Sequence, residues 1–237
     1  MKNVLITGAT KGIGKEIAVL LSKDYNVFIT GRNGKELKNI VETTQIQDFF
    51  AIDLTDTNAC QKLFEKFGNI DILVNNAGDY IYKEIDKYNE DEIEYLFKIN
   101  AQIPFYLTTL YSKQMKEKRW GRIVNIGSIS AVIGEAGAAL YSSTKASLMG
   151  LSRAVGLELA EYGITVNTIH PGWVDTQLAN TSIEDCEFSK EEILQTIPQK
   201  RFITPAEIAN LVKYLISDNA KGLTGQNINL CAGLTIG

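Results

Sequence analysis

Residues 4–14, with the sequence Val-Leu-Ile-Thr-Gly-Ala-Thr-Lys-Gly-Ile-Gly, decide the fold of this chain. The apolar run Val4–Thr7 enters a glycine-rich turn, and apolar residues at helical spacing begin at Ile13, within that turn. A strand followed by a tight turn and an amphipathic helix is the opening unit of a parallel sheet covered by helices. Because the same alternation continues along the chain, we predict an α/β fold with a doubly wound parallel sheet.

Seven short apolar runs are predicted to form the strands of this sheet. They are Val4–Thr7, Asn26–Thr30, Asp48–Ile52, Ile70–Val74, Arg122–Ile126, Ile164–Ile169 and Asn227–Leu230. Asn58 before one helical segment and Thr204 before another are predicted N-caps. No linker, repeat or low-complexity tract interrupts the pattern, so we expect residues 1–237 to form one domain with helices on both faces of the sheet.

Composition excludes several classes of function. The 237 residues carry a net charge of −4, so no overall basic field attracts nucleic acid or anionic lipid. The three cysteines lack a C-x-x-C pair, and this predicts neither a disulfide framework nor a metal site and fits the cytoplasm. We expect no signal peptide and no membrane span, because the longest uncharged stretches are broken by Asn, Ser and Gly.

The glycine-rich turn Gly8–Gly14 predicts a phosphate-binding site. Without a Cβ, its glycines let the backbone turn sharply and approach a pyrophosphate, while the helix N-terminus faces the anion. A Walker A loop is excluded, because Ala9 replaces the required glycine and Glu16 replaces the Ser or Thr that follows the lysine. The turn therefore favours a dinucleotide over a nucleoside triphosphate.

The end of the second predicted strand indicates which dinucleotide binds. An acidic residue here holds the ribose hydroxyls of NAD, whereas an arginine suits the 2′-phosphate of NADP. This strand ends in Thr30-Gly31-Arg32, and Lys11 lies in the turn where the same phosphate would project. Two cations and no carboxylate predict NADP(H) as the cofactor.

Polar motifs follow the carboxyl ends of the predicted strands, where open parallel sheets bind their ligands. Tyr141 and Lys145 are four residues apart and so lie on one face of a helix. The other motifs are Asn75-Asn76-Ala77-Gly78, Asn100, Ser128 and Pro171-Gly172.

Together with the glycine turn, these motifs resemble the short-chain dehydrogenase/reductase family over nearly the whole chain. Thr224-Gly225-Gln226 and the segment Ile197–Glu207 further resemble the 3-oxoacyl-[acyl-carrier-protein] reductases within that family. The resemblance implies a Rossmann fold, a homotetramer or homodimer, and hydride transfer between NADP(H) and a carbonyl. It also implies pairing of the helices around 103–118 and 141–162 between subunits.

The resemblance assigns roles to four catalytic residues. Tyr141 would be the general acid, Lys145 would bind the nicotinamide ribose and lower the pKa of Tyr141, and Ser128 would hold the substrate oxygen. Asn100 would hold a water that links Lys145 to solvent. No metal residue is implied, and the cofactor-binding residues would be Gly8, Thr10, Lys11, Gly12, Ile13, Gly14, Arg32, Asp53, Leu54, Asn76, Ala77, Gly78, Tyr141, Lys145, Pro171, Gly172, Val174 and Thr176.

Simple electrostatics limits how far one ammonium can acidify Tyr141. Lowering the pKa of a tyrosine from ~10 to ~7 requires about 4 kcal/mol, and a charge ~4 Å away supplies about that at an effective dielectric of 20. Burial acts in the opposite direction. We therefore expect the pKa of Tyr141 to fall fully only beside the positive ring of the oxidised cofactor.

Two surface features bear on substrate and partner. The acidic segment 177–200 is predicted to be a substrate lid, with a solvated excursion as the alternative. The basic run Lys113, Lys116, Lys118, Arg119 and Arg122 either complements a helix C-terminus or docks an acidic carrier protein. Tyr162 stands where carrier-protein reductases of this family tend to have a basic residue, and this weakens the docking hypothesis.

Three hypotheses for function follow. The first is NADPH-dependent reduction of a 3-oxoacyl thioester, with acyl carrier protein as a candidate partner, for fatty-acid synthesis. The second is the same chemistry on a sugar, polyol, steroid or other small carbonyl or alcohol. The third is a nucleotide-binding scaffold without catalysis, which the presence of both Tyr141 and Lys145 disfavours.

Overall fold

The computed structural model describes residues 1–176, 183 and 189–236. Seven parallel strands form one sheet in the order β3-β2-β1-β4-β5-β6-β7. All seven predicted strands are confirmed, each with ends within two residues of the prediction. Their bounds are β1 Asn3–Thr7, β2 Asn26–Gly31, β3 Asp48–Ala51, β4 Ile72–Asn75, β5 Gly121–Ile126, β6 Ile164–Pro171 and β7 Asn227–Leu230.

Helices connect the strands on both faces of the sheet, as the alternating pattern predicts. In the described ranges the α-helices are α1 Gly12–Leu21, α2 Gly34–Thr43, α3 Ala59–Lys66, α4 Glu90–Phe97, α5 Ile103–Lys118, α6 Ser130–Ile133, α7 Ala139–Leu159, α8 Lys190–Thr196 and α9 Pro205–Leu215. None of the described helices is long and apolar enough to cross a membrane.

The apolar core lies on both faces of the sheet. In β1, Val4 and Ile6 pack into one cluster with α1 and α9, whereas Leu5 packs into the other with Leu63 of α3 and Leu107 of α5. Side chains of a strand alternate between faces, so a strand covered on both sides is apolar at every position. This is why Val4–Ile6 form an uninterrupted apolar run.

Both predicted N-caps directly precede their helices, and Thr204 also caps its helix through its side chain. Thr204 accepts a hydrogen bond from the backbone of Glu207, whose side chain returns to Thr204, so a capping box begins α9. Asn58 occupies the predicted N-cap position of α3, but it adopts a left-handed conformation with φ of 60° and its side chain makes no capping hydrogen bond. Asparagine tolerates that conformation, and here it turns the chain into α3.

A π-helical turn, Lys98–Gln102, joins α4 to α5 without a break. Asn100 lies inside this π turn. The extra residue per turn shifts the register between the two helices, and such insertions are common at functional sites. It places the buried Asn100 side chain at the end of β4.

Two strand ends are held together at the position where the strand order reverses. β1 lies between β2 and β4 in the sheet. The helices that follow β1 and β4 pack on opposite faces of it. The Thr7 hydroxyl accepts hydrogen bonds from the backbone N–H groups of Asn76, at 3.0 Å, and Ala77, at 2.9 Å. In folds of this kind, ligands bind at such a reversal point.

The predicted basic surface run is largely neutralised in the structure. Lys116 pairs with Glu158, and Lys118 pairs with Asp71. Arg122 is not a surface residue at all, because it is only 2% exposed and bonds to Asp218. Lys113, Lys118 and Arg119 are exposed, and of these only Lys118 forms an ion pair with a carboxylate of the described residues.

Candidate active site

A cavity of about 300 Å³ opens at the carboxyl ends of β1, β2 and β4. Its floor is the glycine turn, and its walls come from the loops that follow the neighbouring strands. Sixteen of the predicted cofactor residues line it, namely Gly8, Thr10, Lys11, Gly12, Ile13, Gly14, Arg32, Asp53, Leu54, Asn76, Ala77, Gly78, Tyr141, Lys145, Pro171 and Thr176. Such a cleft at the reversal point suits a dinucleotide.

Two glycines leave no room for a side chain in the floor of this cavity. Gly8 has a φ of 68°, and a Cβ there would lie 2.8 Å from the Cα of Ala77. At Gly14, a Cβ would collide with the Asn76 side chain. The Asn76 amide donates to the carbonyl oxygens of both Thr7 and Gly8, at 2.9 Å each, and so fixes the turn against β4.

The end of β2 fits a 2′-phosphate. Gly31 has no carboxylate, and a Cβ on it would lie 2.8 Å from the Cγ2 of Thr10. Arg32 is exposed at the edge of the cavity. Burial alone would raise the pKa of Asp53, but hydrogen bonds from Thr55 and the positive charge of Arg32 lower it below its ordinary value. Asp53 therefore remains an ionised acceptor on the wall.

Lys145 of α7 is buried beneath the cavity. Its ammonium donates a hydrogen bond to the carbonyl oxygen of Ile126, at 2.9 Å, and burial lowers its pKa to about 8. A Cβ at Gly78 would lie 3.0 Å from Nζ of Lys145 and 2.7 Å from Oδ1 of Asn100. The absent side chain of Gly78 thus makes space for both groups.

Asn100 supports the loop after β4 and the helix that carries the tyrosine. Its side-chain amide donates to the carbonyl of Asp79 and to the Thr144 hydroxyl, and its Oδ1 accepts from the Asp79 N–H. Thr144 in turn donates to the backbone carbonyl of Tyr141. Both amide hydrogens are therefore used within the protein.

The phenol of Tyr141 is weakly acidic in this structure. Its pKa is raised to about 12, chiefly by burial and further by the negative charges of Glu135 and Asp79, although the Ser128 hydroxyl acts to lower it. Nζ of Lys145 lies 5.9 Å from the centre of the Tyr141 ring. With its pKa raised in this way, the phenol stays protonated at neutral pH.

A second cavity, of about 440 Å³, lies on the other side of Ser128 and Tyr141. Ser128, Tyr141 and Thr176 line both cavities. Its remaining walls are mainly apolar or aromatic and include Tyr80, Tyr82, Ile133, Trp173, Ile193 and Leu234. A carbonyl compound in this cavity would meet the proton donor from the side opposite the dinucleotide cavity.

The structure separates the predicted cofactor residues into two groups. Gly172 and Val174 do not line the first cavity, since Gly172 packs against Cys231 and Val174 is buried beside Ile203. Their predicted roles stay untested. Sequence reasoning missed cavity residues such as Asp79, Tyr95 and Ile99, and only the position of Asp79 directly after the Asn-Asn-Ala-Gly motif could have signalled it.

His170 and Trp173 are held by contacts within the protein. Nδ1 of His170 lies 2.9 Å from the carbonyl oxygen of Ser128, and Nε2 lies 3.2 Å from Oδ1 of Asn227. Trp173 stacks on Phe202 with 5.9 Å between ring centres and forms a wall of the second cavity. Over the described part of the chain, no cluster of His, Cys, Asp or Glu could hold a metal ion.

Curated relatives match the chain from end to end. The 3-oxoacyl-[acyl-carrier-protein] reductase FabG of Buchnera aphidicola is 38% identical, with 98% of this chain and 97% of the relative covered. The enzyme of the same name from Rickettsia prowazekii is 35% identical, with coverage of 98% and 96%.

Solved structures agree with this match. An actinorhodin polyketide ketoreductase with NADPH superposes with a TM-score of 0.91 at 34% identity, covering 98% of this chain and 97% of that one. ElxO with NADP bound gives 0.89 at 30% identity, with coverage of 100% and 99%. The family model for short chain dehydrogenase matches residues 2–187. This protein therefore belongs to the short-chain dehydrogenase family.

Proposed function

We propose that this protein catalyses the NADPH-dependent reduction of a 3-oxoacyl thioester presented by acyl carrier protein. The observation that carries the proposal is the shared wall of the two cavities, where Ser128 and Tyr141 face both a dinucleotide cleft and a mainly apolar chamber. The FabG relatives act on such thioesters according to their names.

The residues of the site divide the chemistry between them. When bound, NADPH supplies a hydride to the carbonyl carbon. Tyr141 donates its phenolic proton to the carbonyl oxygen, for which the protonated state described above is the required one. Ser128 orients that oxygen, and Lys145 holds the ribose and supplies positive charge beneath the phenol. Asn100 keeps Thr144 and the Asp79 loop in place around them.

The preference for NADPH is assigned to the end of β2. Arg32 reaches the rim of the cleft, and Lys11 projects from the glycine turn on the same side. Two cations suit the two negative charges of a 2′-phosphate, and Gly31 offers no carboxylate to repel it. Two of the structural relatives hold NADPH or NADP according to their titles.

The second cavity receives the acyl group, and the segment 177–200 is proposed to close over it. Ile193 and Thr196 of α8, in the described part of this segment, line the cavity. Residues 177–182 and 184–188 lie outside the described ranges. A polar small carbonyl is the second candidate substrate, and the carboxylate of Glu135 in the cavity wall favours it.

Exposed apolar side chains bear on the assembly of the protein. Phe105 and Leu157, on the two helices expected to pair between subunits, are 59% and 82% exposed. Covering such large apolar side chains favours the predicted homodimer or homotetramer. The cytoplasmic location stays a prediction from cysteine spacing.

The test follows the loss of NADPH absorbance with a panel of substrates. Acetoacetyl thioester on acyl carrier protein, the corresponding coenzyme A thioester, a keto sugar and a quinone are compared with NADPH and with NADH. We expect thioesters to be reduced fastest and NADPH to be preferred. Tyr141→Phe should abolish reduction and leave NADPH binding nearly intact, because the phenol alone is removed. Reduction of only the sugar or the quinone would contradict the thioester as substrate and favour the small carbonyl compound.

A further inference from the structure

Glu135 brings a carboxylate into the mainly apolar wall of the second cavity. It lies in the loop between α6 and α7 and lines the cavity together with apolar residues such as Ile133 and Leu234. Its Oε2 accepts a hydrogen bond from the Ser130 hydroxyl at 2.6 Å, and its Oε1 accepts one from the Tyr80 hydroxyl at 3.0 Å. The sequence motifs assign no role to this residue.

Hydroxyl groups, and no cation of the described residues, hold this carboxylate. Within the described ranges no lysine or arginine forms an ion pair with Glu135, and none lines the cavity. Lys83, whose backbone N–H donates to the carbonyl of Gly137 in the same loop, pairs through its ammonium with Glu92. The sequence of residues 177–188 contains no lysine, arginine or histidine. A positive charge next to Glu135 would therefore come from a ligand.

The type of substrate that enters the cavity decides what happens to this charge. A neutral acyl chain would displace water from the carboxylate and supply no partner in exchange, which is costly for a charged group. Each carboxylate oxygen of Glu135 accepts one hydrogen bond from a hydroxyl, although a carboxylate can accept about four in total. An apolar chain is therefore opposed, an anionic chain is opposed more strongly, and a cationic group is favoured.

Aromatic rings supply the other surroundings that suit an organic cation. Tyr80, Tyr82, Tyr141 and Trp173 all line the cavity. Tyr80 packs edge-on against Tyr141 with 4.9 Å between ring centres, so the donor to Glu135 also contacts the ring of the catalytic tyrosine. The faces of aromatic rings attract cations, and clusters of such rings bind quaternary ammonium ligands. A carboxylate among aromatic rings thus fits an ammonium group better than a hydrocarbon chain.

The carboxylate also lies close to the reacting centre. Oγ of Ser130 lies 2.6 Å from Oε2 of Glu135 and 3.1 Å from Oγ of Ser128. A single hydroxyl group therefore separates Glu135 from the serine that is assigned to the substrate oxygen. A cation that contacts Glu135 would lie only a few chain atoms from the carbonyl, and not at the end of a long acyl chain.

We propose that the second cavity selects carbonyl substrates that carry an ammonium group a few chain atoms from the carbonyl, with Glu135 as the counter-charge and aromatic rings as the walls. The proposal rests on the reductase function proposed above and specifies the acyl group that this function acts on. It makes Glu135 a specificity-determining residue.

Three matched ketones test the effect of charge. The first is a methyl ketone with a trimethylammonium group on a three-carbon spacer, and the second is its neutral isostere with a tert-butyl group. The third ends the same spacer in a carboxylate. With NADPH we expect kcat/KM to be about 10-fold higher for the cation than for the isostere, and lowest for the anion. Equal values for the cation and the isostere would overturn the proposal.

Glu135→Gln should remove most of this preference. Glutamine keeps the size of the side chain and can hydrogen bond with both Ser130 and Tyr80, and thermal unfolding shows whether the variant is folded. We expect the ratio of kcat/KM for the cation and the isostere to fall below about 3-fold, and this ratio cancels any general loss of activity. An unchanged ratio would mean that Glu135 only holds the loop, and it would overturn the proposal.

Glu192→Gln is the matched control. Glu192 lines the same cavity, but its carboxylate accepts hydrogen bonds from Ser189 in the capping box of α8, where glutamine can replace it. We expect Glu192→Gln to keep the preference for the cation. A loss as large as that in Glu135→Gln would show that the general charge of the cavity selects the substrate, and it would overturn the assignment to Glu135.

Binding measured without turnover separates this inference from the proposed function. Calorimetric titration of the NADP⁺-loaded protein should give a Kd about 10-fold lower for the cationic ketone than for its isostere. Equal Kd values overturn the inference even if thioesters are reduced. If no thioester is reduced but the cationic ketone binds more tightly, the proposed thioester substrate is wrong and the selection of charge stands.

Discussion

The two ends of the sheet each bury one cation, and the two cations have opposite surroundings. At the amino end, Arg122 is 2% exposed, donates to the carbonyl oxygens of Gly121 and Gly163, pairs with Asp218 and lies 4.4 Å from the centre of the Trp120 ring. At the carboxyl end, Lys145 is 5% exposed and donates to one carbonyl oxygen. No carboxylate of the described residues forms an ion pair with it.

The difference separates a cation that stabilises the fold from one prepared for a ligand. A buried charge is tolerated when partners replace its lost water, as for Arg122. Lys145 has one such partner, and burial alone lowers its pKa to about 8. An ammonium left short of partners next to an open cavity gains most when ribose hydroxyls or a developing negative charge arrive there.

The largest expected effect comes from removing the ammonium of Lys145, the buried cation with a single hydrogen-bond partner. Lys145→Met should lower kcat/KM for reduction by about 10²- to 10⁴-fold, the range for a lost proton-transfer or electrostatic group. The melting temperature at pH 7 should not fall, because the variant no longer buries a charge with few partners. Lys62→Met, at an exposed position, serves as the control for charge removal. A Lys145→Met variant that is less stable than the parent but still active would contradict the difference between the two cations.

Adding a side chain at Gly78, next to Lys145, should have the next largest effect. In Gly78→Ala, the new methyl group would lie 3.0 Å or less from Lys145 and Asn100, so both have to shift. Displacements of about 1 Å in a catalytic site cost on the order of 10²-fold, and we expect kcat to fall about 10- to 100-fold. Gly150→Ala on α7, where a Cβ meets nothing within 4 Å, is the matched control and should keep full activity.

The lowered pKa of Lys145 should make the free energy of unfolding depend on pH. The pKa of Lys145 is about 8 in the folded state against 10.5 ordinarily, so the unfolded chain binds more protons between these values. Stability must then rise with pH in that window, by about 2 kcal/mol between pH 7 and 9.5. Urea unfolding of the cofactor-free protein at both pH values measures the rise, and Lys145→Met should lack it.

Removing the charge of Arg122, which has several partners, should have the smallest effect. It should lower stability and leave catalysis unchanged. Arg122→Met loses hydrogen bonds to Gly121 and Gly163 and the pair with Asp218, which is itself 80% exposed. We expect the free energy of unfolding to fall by about 1–2 kcal/mol, with kcat unchanged. The exposed Arg153→Met should change neither, and a loss of kcat in Arg122→Met would show that the amino end also serves catalysis.

Local pattern and motif spacing were sufficient to predict the fold and the first cavity. β1, the glycine turn and α1 follow one another in the sequence, so their apolar pattern and glycines report them directly. Ser128, Tyr141 and Lys145 are distant from Gly8 in the chain, but parallel strands bring their carboxyl ends to one edge of the sheet. Motifs that follow strand ends therefore converge in space.

The second cavity could not be predicted in the same way. Tyr80, Glu135 and Leu234 come from three separate loops, where no periodicity relates one residue to another. The π turn at Asn100 was missed because helical spacing tolerates a single inserted residue. Burial of Arg122 was missed because its partner Asp218 lies 96 residues further along the chain.

The Thr7 hydroxyl has a mechanical consequence beyond its place in the fold. By accepting two backbone N–H groups from the loop after β4, it joins the turn beneath the dinucleotide to the segment that holds Asp79 and Asn100. These hydrogen bonds thus join the floor of the first cavity directly to a wall of the catalytic centre. A ligand that orders the glycine turn would also order the loop next to the reacting carbonyl. We therefore expect binding of the dinucleotide to favour binding of the carbonyl substrate.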